Sequence, residues 1–357
     1  MAHADVFFTP MTAQTSDTDA AAIIRKLYDL LPVTKQLCED DLVAIKTHFG
    51  EDGNTTHVKP AYIRVIADAL KNAKAQPYLT ETSVLYKSER MNAVSHMLLA
   101  YKHGFTFENI GAPIIMADGL RGNLEREITV DGKCYEHVSV AADAASADAM
   151  IVVSHATGHL AAGMGATIKN IGMGLSSRKG KLTQHSASKP FITPSICTAC
   201  GQCIRHCPVD AISYVNKKAH IDDKICIGCG ECITVCKFNA VGFSWDGASA
   251  DLQRKMAEHA WGICKEMSGK IGYISFLINM TKDCDCMGTH PKIVVPDIGI
   301  LASNDPVAID MATLDLTKQK AGKTIAALSF PQLDPMVQID HAVSLGMGTK
   351  EYRLVTV

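Results

Sequence analysis

Eight of the chain's 13 cysteines fall in two runs of matching spacing: Cys197, Cys200, Cys203 and Cys207, then Cys226, Cys229, Cys232 and Cys236. Each reads C-x2-C-x2-C-x3-C, a pattern that holds a pair of [4Fe–4S] clusters. A cubane needs four thiolates converging from different directions. Three closely spaced cysteines wrap one corner, and in two-cluster proteins the fourth comes from the other run. The pattern therefore assigns Cys197, Cys200, Cys203 and Cys236 to one cluster and Cys226, Cys229, Cys232 and Cys207 to the other. The chemistry is one-electron transfer. Zinc sites use pairs of C-x2-C rather than four cysteines per run, and a disulfide framework suits a small secreted domain rather than 357 residues. Gly201, Gly228 and Gly230 let backbone amides approach the sulfurs.

Other residues suited to chemistry lie at the ends of apolar runs. Lys46, Thr47 and His48 follow one run, Thr80, Glu81 and Thr82 a second, Asp118 a third, and Ser154, His155 and His159 a fourth. Open α/β sheets gather ligands outside the carboxyl ends of their strands. Lys46, His48, Asp118, His155, His159 and Lys169 are thus the catalytic candidates, although each alone also suits a cap or turn. His155 and His159, four apart, share a face if their turn is helical and would then suit one metal ion or paired acid/base work; solvent-exposed histidines fit the spacing as well. Gly163, Gly165, Lys169 and Asn170 form a glycine-rich stretch with a cation, as a small anionic or phosphate-bearing ligand requires, or else a plain turn. Arg178, Lys179 and Lys181 extend that site or form a basic surface loop.

Cys284-Asp285-Cys286 is a second thiol group, with His290 close behind. On an extended segment residues two apart point the same way, so the sulfurs could take a third metal, with Cys264 as a further ligand, or do redox chemistry. Two free loop cysteines are the plain alternative. Cys38 and Cys134 are read as structural. Asp305 before Pro306 is a helix N-cap; whether Asp310 inside that helix faces the site is open.

The elements that must position these groups alternate. Helices are expected over 19–31, 60–73, 91–102, 141–145, 249–267, 306–319 and 336–345. Strands are expected over 42–47, 78–80, 113–116, 150–153, 272–278, 294–295 and 298–301, with a hairpin at Asp131–Gly132. This order predicts an α/β fold with a mostly parallel sheet, discontinuous over 1–189 and 246–357, and an inserted α+β bacterial-type two-cluster ferredoxin module at 190–245. The chain is 47% hydrophobic and 20% charged with a formal net charge of −2, so bulk charge suggests no nucleic-acid partner. No apolar run is long enough for a membrane span, and the N-terminal residues lack a leader pattern. Free thiols and oxygen-sensitive clusters suit the cytoplasm of an anaerobic or microaerobic cell.

Several blocks resemble the domain-of-unknown-function 362 family, in the subgroup carrying an inserted two-cluster ferredoxin domain. They are VAIKTHFGE (43–51), the region from Thr80 through Tyr86 to Arg90, MADGLRGN (116–123), SHATGHLAAGMGATIKNIGMGLSSRKGK (154–181), the C-D-C at 284–286 and DIGILASNDPVAID (297–310). The resemblance implies an α/β domain hosting the module and says little about activity. The His-turn-Lys arrangement is also faintly similar to the substrate-binding region of lactate-racemase-like proteins, with no residue carried over. The expected function is electron transfer through two [4Fe–4S] clusters with a redox partner protein. The alternatives are a reductase in which the clusters feed a separate metal or substrate centre, and a cluster-stabilised scaffold or metal-delivery protein. A homo-oligomer is compatible with all three.

Overall fold

The computed structural model describes residues 3–185, 189–244, 249–288 and 292–357; His290 lies outside them. The chain opens with β1 (Ala4–Pro10), α1 (Asp17–Asp29), β2 (Leu42–Lys46), α2 (Pro60–Asn72), β3 (Gln76–Glu81), α3 (Ala93–Lys102), α4 (Phe107–Ile110) and β4 (Ile114–Met116). A hairpin of β5 (Glu125–Thr129) and β6 (His137–Ala141) leads to β7 (Ala149–His155), the short β8 (Thr157–His159) and β9 (Gly163–Gly165), α5 (Thr167–Gly172) and α6 (Arg178–His185). The cysteine-rich segment holds β10 (Phe191–Ile192), α7 (Gln202–Arg205), β11 (Ile212–Val215), β12 (Lys218–Ile221), α8 (Glu231–Val235) and β13 (Val241–Gly242). Then follow α9 (Ser249–Glu266), β14 (Ile271–Leu277), β15 (Met280–Thr281), β16 (Ile293–Val295), β17 (Gly299–Ser303), α10 (Pro306–Ala321), α11 (Ile325–Ser329), α12 (Met336–Ser344) and β18 (Tyr352–Thr356).

Eight strands form one sheet in the order β18-β1-β17-β14-β7-β2-β3-β4. It is parallel except where β17 meets β1 and β14. β14, which follows the cysteine-rich segment, pairs directly with β7, which precedes it (Phe276 opposite His155). Val43, Ile45, Ile151 and Ile274 point to one face, beneath α1 and α2. Ala44, Met150, Val152 and Tyr273 point to the other, where α5, α9, α10 and α12 cover them. This period-2 alternation between two buried faces explains why the central strands read as unbroken apolar runs.

Local signals match the elements they start. The Ser16 hydroxyl accepts the Asp19 N–H at 3.1 Å to open α1. Asp305 takes the N–H groups of Val307 and Ala308, both at 2.9 Å, ahead of Pro306. One expected helix is absent: β6 runs to Ala141 and a turn follows, since 142–146 is needed to bring the chain back into β7. The outer strands β1 and β18 and the α5 and α6 pieces were not expected from the pattern. Among the described residues no helix is long and apolar enough to cross a membrane.

Asp310 faces inward from α10. It is fully buried and accepts the N–H groups of Thr167 (2.8 Å) and Ile168 (2.9 Å), capping α5 from another helix. Burial pushes its carboxyl up to about 6, against the pull of those two amides. Replacing it strands two buried donors, so Asp310→Ala is expected to cost about 2–4 kcal/mol of stability. Chemical denaturation would measure this, and a change within about 0.5 kcal/mol would rule the cap out as a support of α5.

Candidate functional site

Parallel register aligns the strand tips. Lys46 sits opposite Thr80 on β3 and Val152 on β7, which places their polar successors along one edge. The Lys46 ammonium, fully buried, meets Glu81 at 2.7 Å and the Asn170 side-chain oxygen at 2.8 Å. Asn170 in turn donates to the Val153 carbonyl (3.0 Å) and Ser154 Oγ (3.1 Å). Burial alone would raise the Glu81 carboxyl, but Lys46, His96, Lys181 and Arg90 bring it down to about 2. Gly174 permits the contact, since a Cβ there would stand 2.9 Å from Lys46 Nζ.

Beyond this pair opens a cleft of about 490 Å³, within the range of pockets for cofactor-sized molecules. Its lining includes the basic side chains His48, Arg90, His159, Lys169 and Lys181 and the apolar Val84, Leu85, Met173, Leu252, Met256 and Met287. A recess of about 40 Å³ adjoins it, lined by Thr47, His155, Lys169, Cys284 and Asp285 among others. The Thr47 hydroxyl there is buried and has no hydrogen-bond partner among the described residues.

The cations differ in what holds them. Arg90 pairs with Glu51 at 3.1 Å and meets His48 Nε2 at 2.9 Å. Lys181 donates to the Thr82 hydroxyl and to the Ser176 carbonyl at 2.9 Å. Lys169 makes no hydrogen bond or ion pair among the described residues, while burial and then the Arg90 charge lower it to about 8. His159 accepts the Ala161 and Ala162 N–H groups on Nδ1 (3.3 and 3.1 Å), so Nε2 carries the proton in the cleft wall. Burial and the Lys169 charge keep that ring neutral, well below the usual histidine value.

Several expectations change here. His155 and His159 share no helix face, because they lie on β7 and β8. His155 cannot ligate a metal either. Its Nδ1 meets Asp285 at 2.8 Å and its Nε2 the Ile278 carbonyl at 2.8 Å, two acceptors that require both nitrogens to carry protons. Gly163 and Gly165 pair in the β8–β9 hairpin, Gly165 also lines the recess beside Lys169 and Asn170, and the Thr167 and Ile168 amides of α5 are taken by Asp310. Lys169 and Asn170 do line the cleft. Asp118 stands behind the wall, accepting the Ser83 N–H at 2.7 Å, and burial pushes it up to about 6. Of the basic trio only Lys181 reaches the cleft: Lys179 pairs with Glu127 at 2.8 Å and buried Arg178 donates to the Met91 carbonyl.

The thiols sort clearly. Cys197, Cys200, Cys203 and Cys236 line one small pocket, and Cys207, Cys226, Cys229 and Cys232 another. Amides approach sulfur at equivalent places in the two runs: Ala199 to Cys197 and Gly228 to Cys226 at 3.4 Å, Ala211 to Cys207 and Ala240 to Cys236 at 3.2 Å. Gly201, Gly228 and Gly230 all take positive φ (73°, 70° and 76°), and Ala199 adopts the same conformation at 57° without being glycine. Leu85 and Leu182 share a buried cluster with Cys197, Cys203, Cys232 and Cys236, and Leu85 also lines the cleft.

Cys284 and Cys286 are joined as a disulfide, so neither offers a thiolate to a third metal. Cys264 lies elsewhere, 3.4 Å from the Tyr273 hydroxyl. Cys38 is exposed rather than structural. Cys134 lies within metal-ligand reach of Glu258 and His341. The Glu258 oxygens, however, already accept the N–H groups of Lys133, Cys134 and Tyr135 and meet His341 at 2.8 Å, a knot that ties the β5–β6 turn to α9 and α12. Arg90, which lines the cleft, and its partner Glu51 are residues to which sequence reasoning assigned no role. Their charge was visible; their convergence from separate loops was not.

Two outcomes follow from these geometries. Buried Asp285 is held below its ordinary 3.8, burial being outweighed by His155, and His155 is held above its ordinary 6.5, with burial outweighed by Asp285. Asp285 therefore stabilises above 3.8 and loses this as pH falls through its lowered value, while His155 stabilises below 6.5 and loses it as pH rises through its raised value. Between 3.8 and 6.5 both contributions are complete. Asp285→Asn should cost about 3–5 kcal/mol by leaving a buried charge unpaired, measured by urea unfolding in that window. An unchanged midpoint would show that the pair does not hold the loop. Lys169 should lose its charge as pH rises through about 8, so titration calorimetry with an aromatic carboxylate should show binding weaken across that pH. Persistence of the pH dependence in Lys169→Met would assign it to another group.

No curated protein matches the sequence. Among solved structures, the lactate racemase apoprotein from Thermoanaerobacterium thermosaccharolyticum is similar at 10% identity and a TM-score of 0.38, over 77% of this chain and 50% of that one. A crystal structure of a Thermotoga maritima protein is similar at 10% identity and a TM-score of 0.44, over 89% of this chain and 59% of that one. The chain thus spans only half to three-fifths of the length of these structures. Residues 43–315 match a family model described as a domain of unknown function, DUF362. That stretch contains the strand tips, the cleft cations, both cysteine runs and the C-D-C loop, and the chain belongs to the DUF362 family.

Proposed function

We propose that the protein is an iron–sulfur electron-transfer protein of the DUF362 subgroup with an inserted bacterial-type ferredoxin module. Its two [4Fe–4S] clusters would pass electrons toward a ligand in the α/β cleft, in reductase-type chemistry. The observation that carries this is the grouping of eight thiols into two sets of four, each drawing its fourth member from the other run. The donor set fits the group: four sulfurs per pocket, flanked by N–H donors that favour thiolate and tune potential. Cys197, Cys200, Cys203 and Cys236 would hold one cluster and Cys226, Cys229, Cys232 and Cys207 the other. Each cluster supplies one-electron exchange.

The rest is done by the chain's own residues. Leu85 and Leu182 join the buried cluster that holds four of the cysteines, and Leu85 also borders the cleft. Lys169 and the His159 Nε2–H present positive charge and a donor to an anionic acceptor, and the methionine and leucine wall takes its apolar body. A plain carrier would need only the module; a cleft with an unpaired cation beside it supports delivery to a bound molecule. A redox partner protein would supply the electrons, in a reducing compartment such as the cytoplasm of an anaerobe.

Anaerobic reconstitution is expected to give about eight iron and eight acid-labile sulfide per chain, with visible absorption that bleaches on reduction. Cys232→Ser should retain roughly half of the iron and the signal of one reduced cluster. A chain that binds no iron, or clusters that no low-potential donor reduces, would overturn the proposal.

A further inference from the structure

The cleft holds a second redox-active group that the electron-transfer reading does not use. We propose that Cys284 and Cys286 form a thiol–disulfide centre that accepts electrons through the cysteine-rich module and reduces an anionic organic disulfide bound in the cleft. This rests on the two-cluster reading for the electron source, and on the cleft's own geometry for the exchange.

The two sulfurs are bonded to each other but face different spaces. Cys284 is buried and lines the recess with Thr47 and Lys169. Cys286 is half-buried and lines the large cleft. Thiol–disulfide exchange needs this asymmetry: one sulfur that an incoming disulfide can reach, and one behind it that attacks the first. The residue between them is fixed at three points. Asp285 meets His155 at 2.8 Å and Thr56 at 3.2 Å, and its carbonyl accepts the Glu51 N–H at 2.9 Å. Both sulfurs therefore keep their places when the bond between them opens. Gly158 lets the loop lie against β8, since a Cβ there would come within 2.1 Å of the Lys282 carbonyl.

The surroundings select the substrate. Lys169, without an ion-pair partner among the described residues, borders both the recess of Cys284 and the cleft of Cys286, so its charge favours thiolate on the pair and attracts a carboxylate or phosphate. The apolar wall of Leu85, Met173, Leu252 and Met256 suits an aromatic or aliphatic body. Leu85 lines the cleft and also belongs to the buried cluster that contains Cys197, Cys203, Cys232 and Cys236.

The chemistry balances. Two electrons arriving singly through the module, with two protons from solvent, convert the Cys284–Cys286 disulfide to two thiols. The Cys286 thiolate then attacks one sulfur of the ligand's disulfide, and the first ligand thiol leaves and takes a proton. The Cys284 thiolate attacks Cys286, expels the second ligand thiol and restores the Cys284–Cys286 bond. The net change is one ligand disulfide, two electrons and two protons to two thiols.

The test begins with iron-loaded full-length protein whose iron has been counted. After titanium(III) citrate and quenching with iodoacetamide, mass spectrometry is expected to find both Cys284 and Cys286 alkylated, while iron-free protein treated alike keeps the bond. In a second arm the pair is reduced by a phosphine and mixed with 5,5′-dithiobis(2-nitrobenzoate), a dianionic aromatic disulfide. Wild type should end with the Cys284–Cys286 bond re-formed. Cys284→Ser should retain a mixed disulfide on Cys286, and Lys169→Met should slow the reaction with the dianion about tenfold more than it slows the reaction with neutral dithiodipyridine. An iron-loaded, reduced protein with the pair still oxidised would overturn the electron route. A Cys286 that never carries the mixed disulfide, in a variant with normal iron content, would overturn the exchange. A protein without iron would instead sink the two-cluster reading, leaving the phosphine arm to decide the pair on its own.

Discussion

The buried contact between Lys46 and Glu81 is the constraint on which the functional edge of the sheet depends. Neither charge can be left alone in a site from which water is excluded, because desolvation costs each several kcal/mol. The pair forces the tips of β2 and β3 to stay in register, and Asn170, bonded to both Lys46 and β7, draws α5 onto the same point. One ion pair and one amide thus fix three strands and a helix at the place where the cleft begins. Such pairs add little net stability compared with apolar packing. Their effect is to make one arrangement of the strand tips much better than any other.

From that point outward the site is graded in charge. Arg90 and Lys46 are neutralised by Glu51 and Glu81, and Lys181 is tied to neutral oxygens. Lys169 is left without a partner among the described residues at the junction of recess and cleft. His155 and Asp285 form a second buried pair on the far side of the recess, and it holds the C-D-C loop rather than a ligand. Polar contacts fix the positions of Lys46, Arg90 and Lys181, and among the described residues Lys169 has no such contact.

The sequence made part of this legible and hid the rest for physical reasons. The cysteine grouping was readable because three of the four thiols in each pocket are close neighbours in the chain, and the matching spacing of the two runs pointed to the fourth. The central strands were readable because burial on both faces leaves uninterrupted apolar runs. Asp305 was legible as a cap because its partners lie two and three residues on, whereas Asp310 caps a helix far away in sequence, and no local pattern records that. His155 and His159 misled because their four-residue spacing suggests a helix, yet β8 follows β7 with a single residue between them. Glycines at 163 and 165 suggested a loop, and the hairpin they form was not legible because its pairing depends on β8, whose three residues carry no strand pattern. The strands β1 and β18 escaped notice because each is mostly part-buried or exposed, so neither shows a buried apolar run or a clean alternation.

The position of β14 has a consequence for how the molecule is made. Its neighbour β7 precedes the whole cysteine-rich segment, so the middle of the sheet contains a gap until the chain beyond that segment has appeared. On a ribosome the eight cysteines emerge before the sheet can close, and closing a loop of that length is the entropically slow step. A cysteine-rich segment that compacts early, before the sheet closes, shortens the effective loop between β7 and β14 and so hastens completion of the sheet.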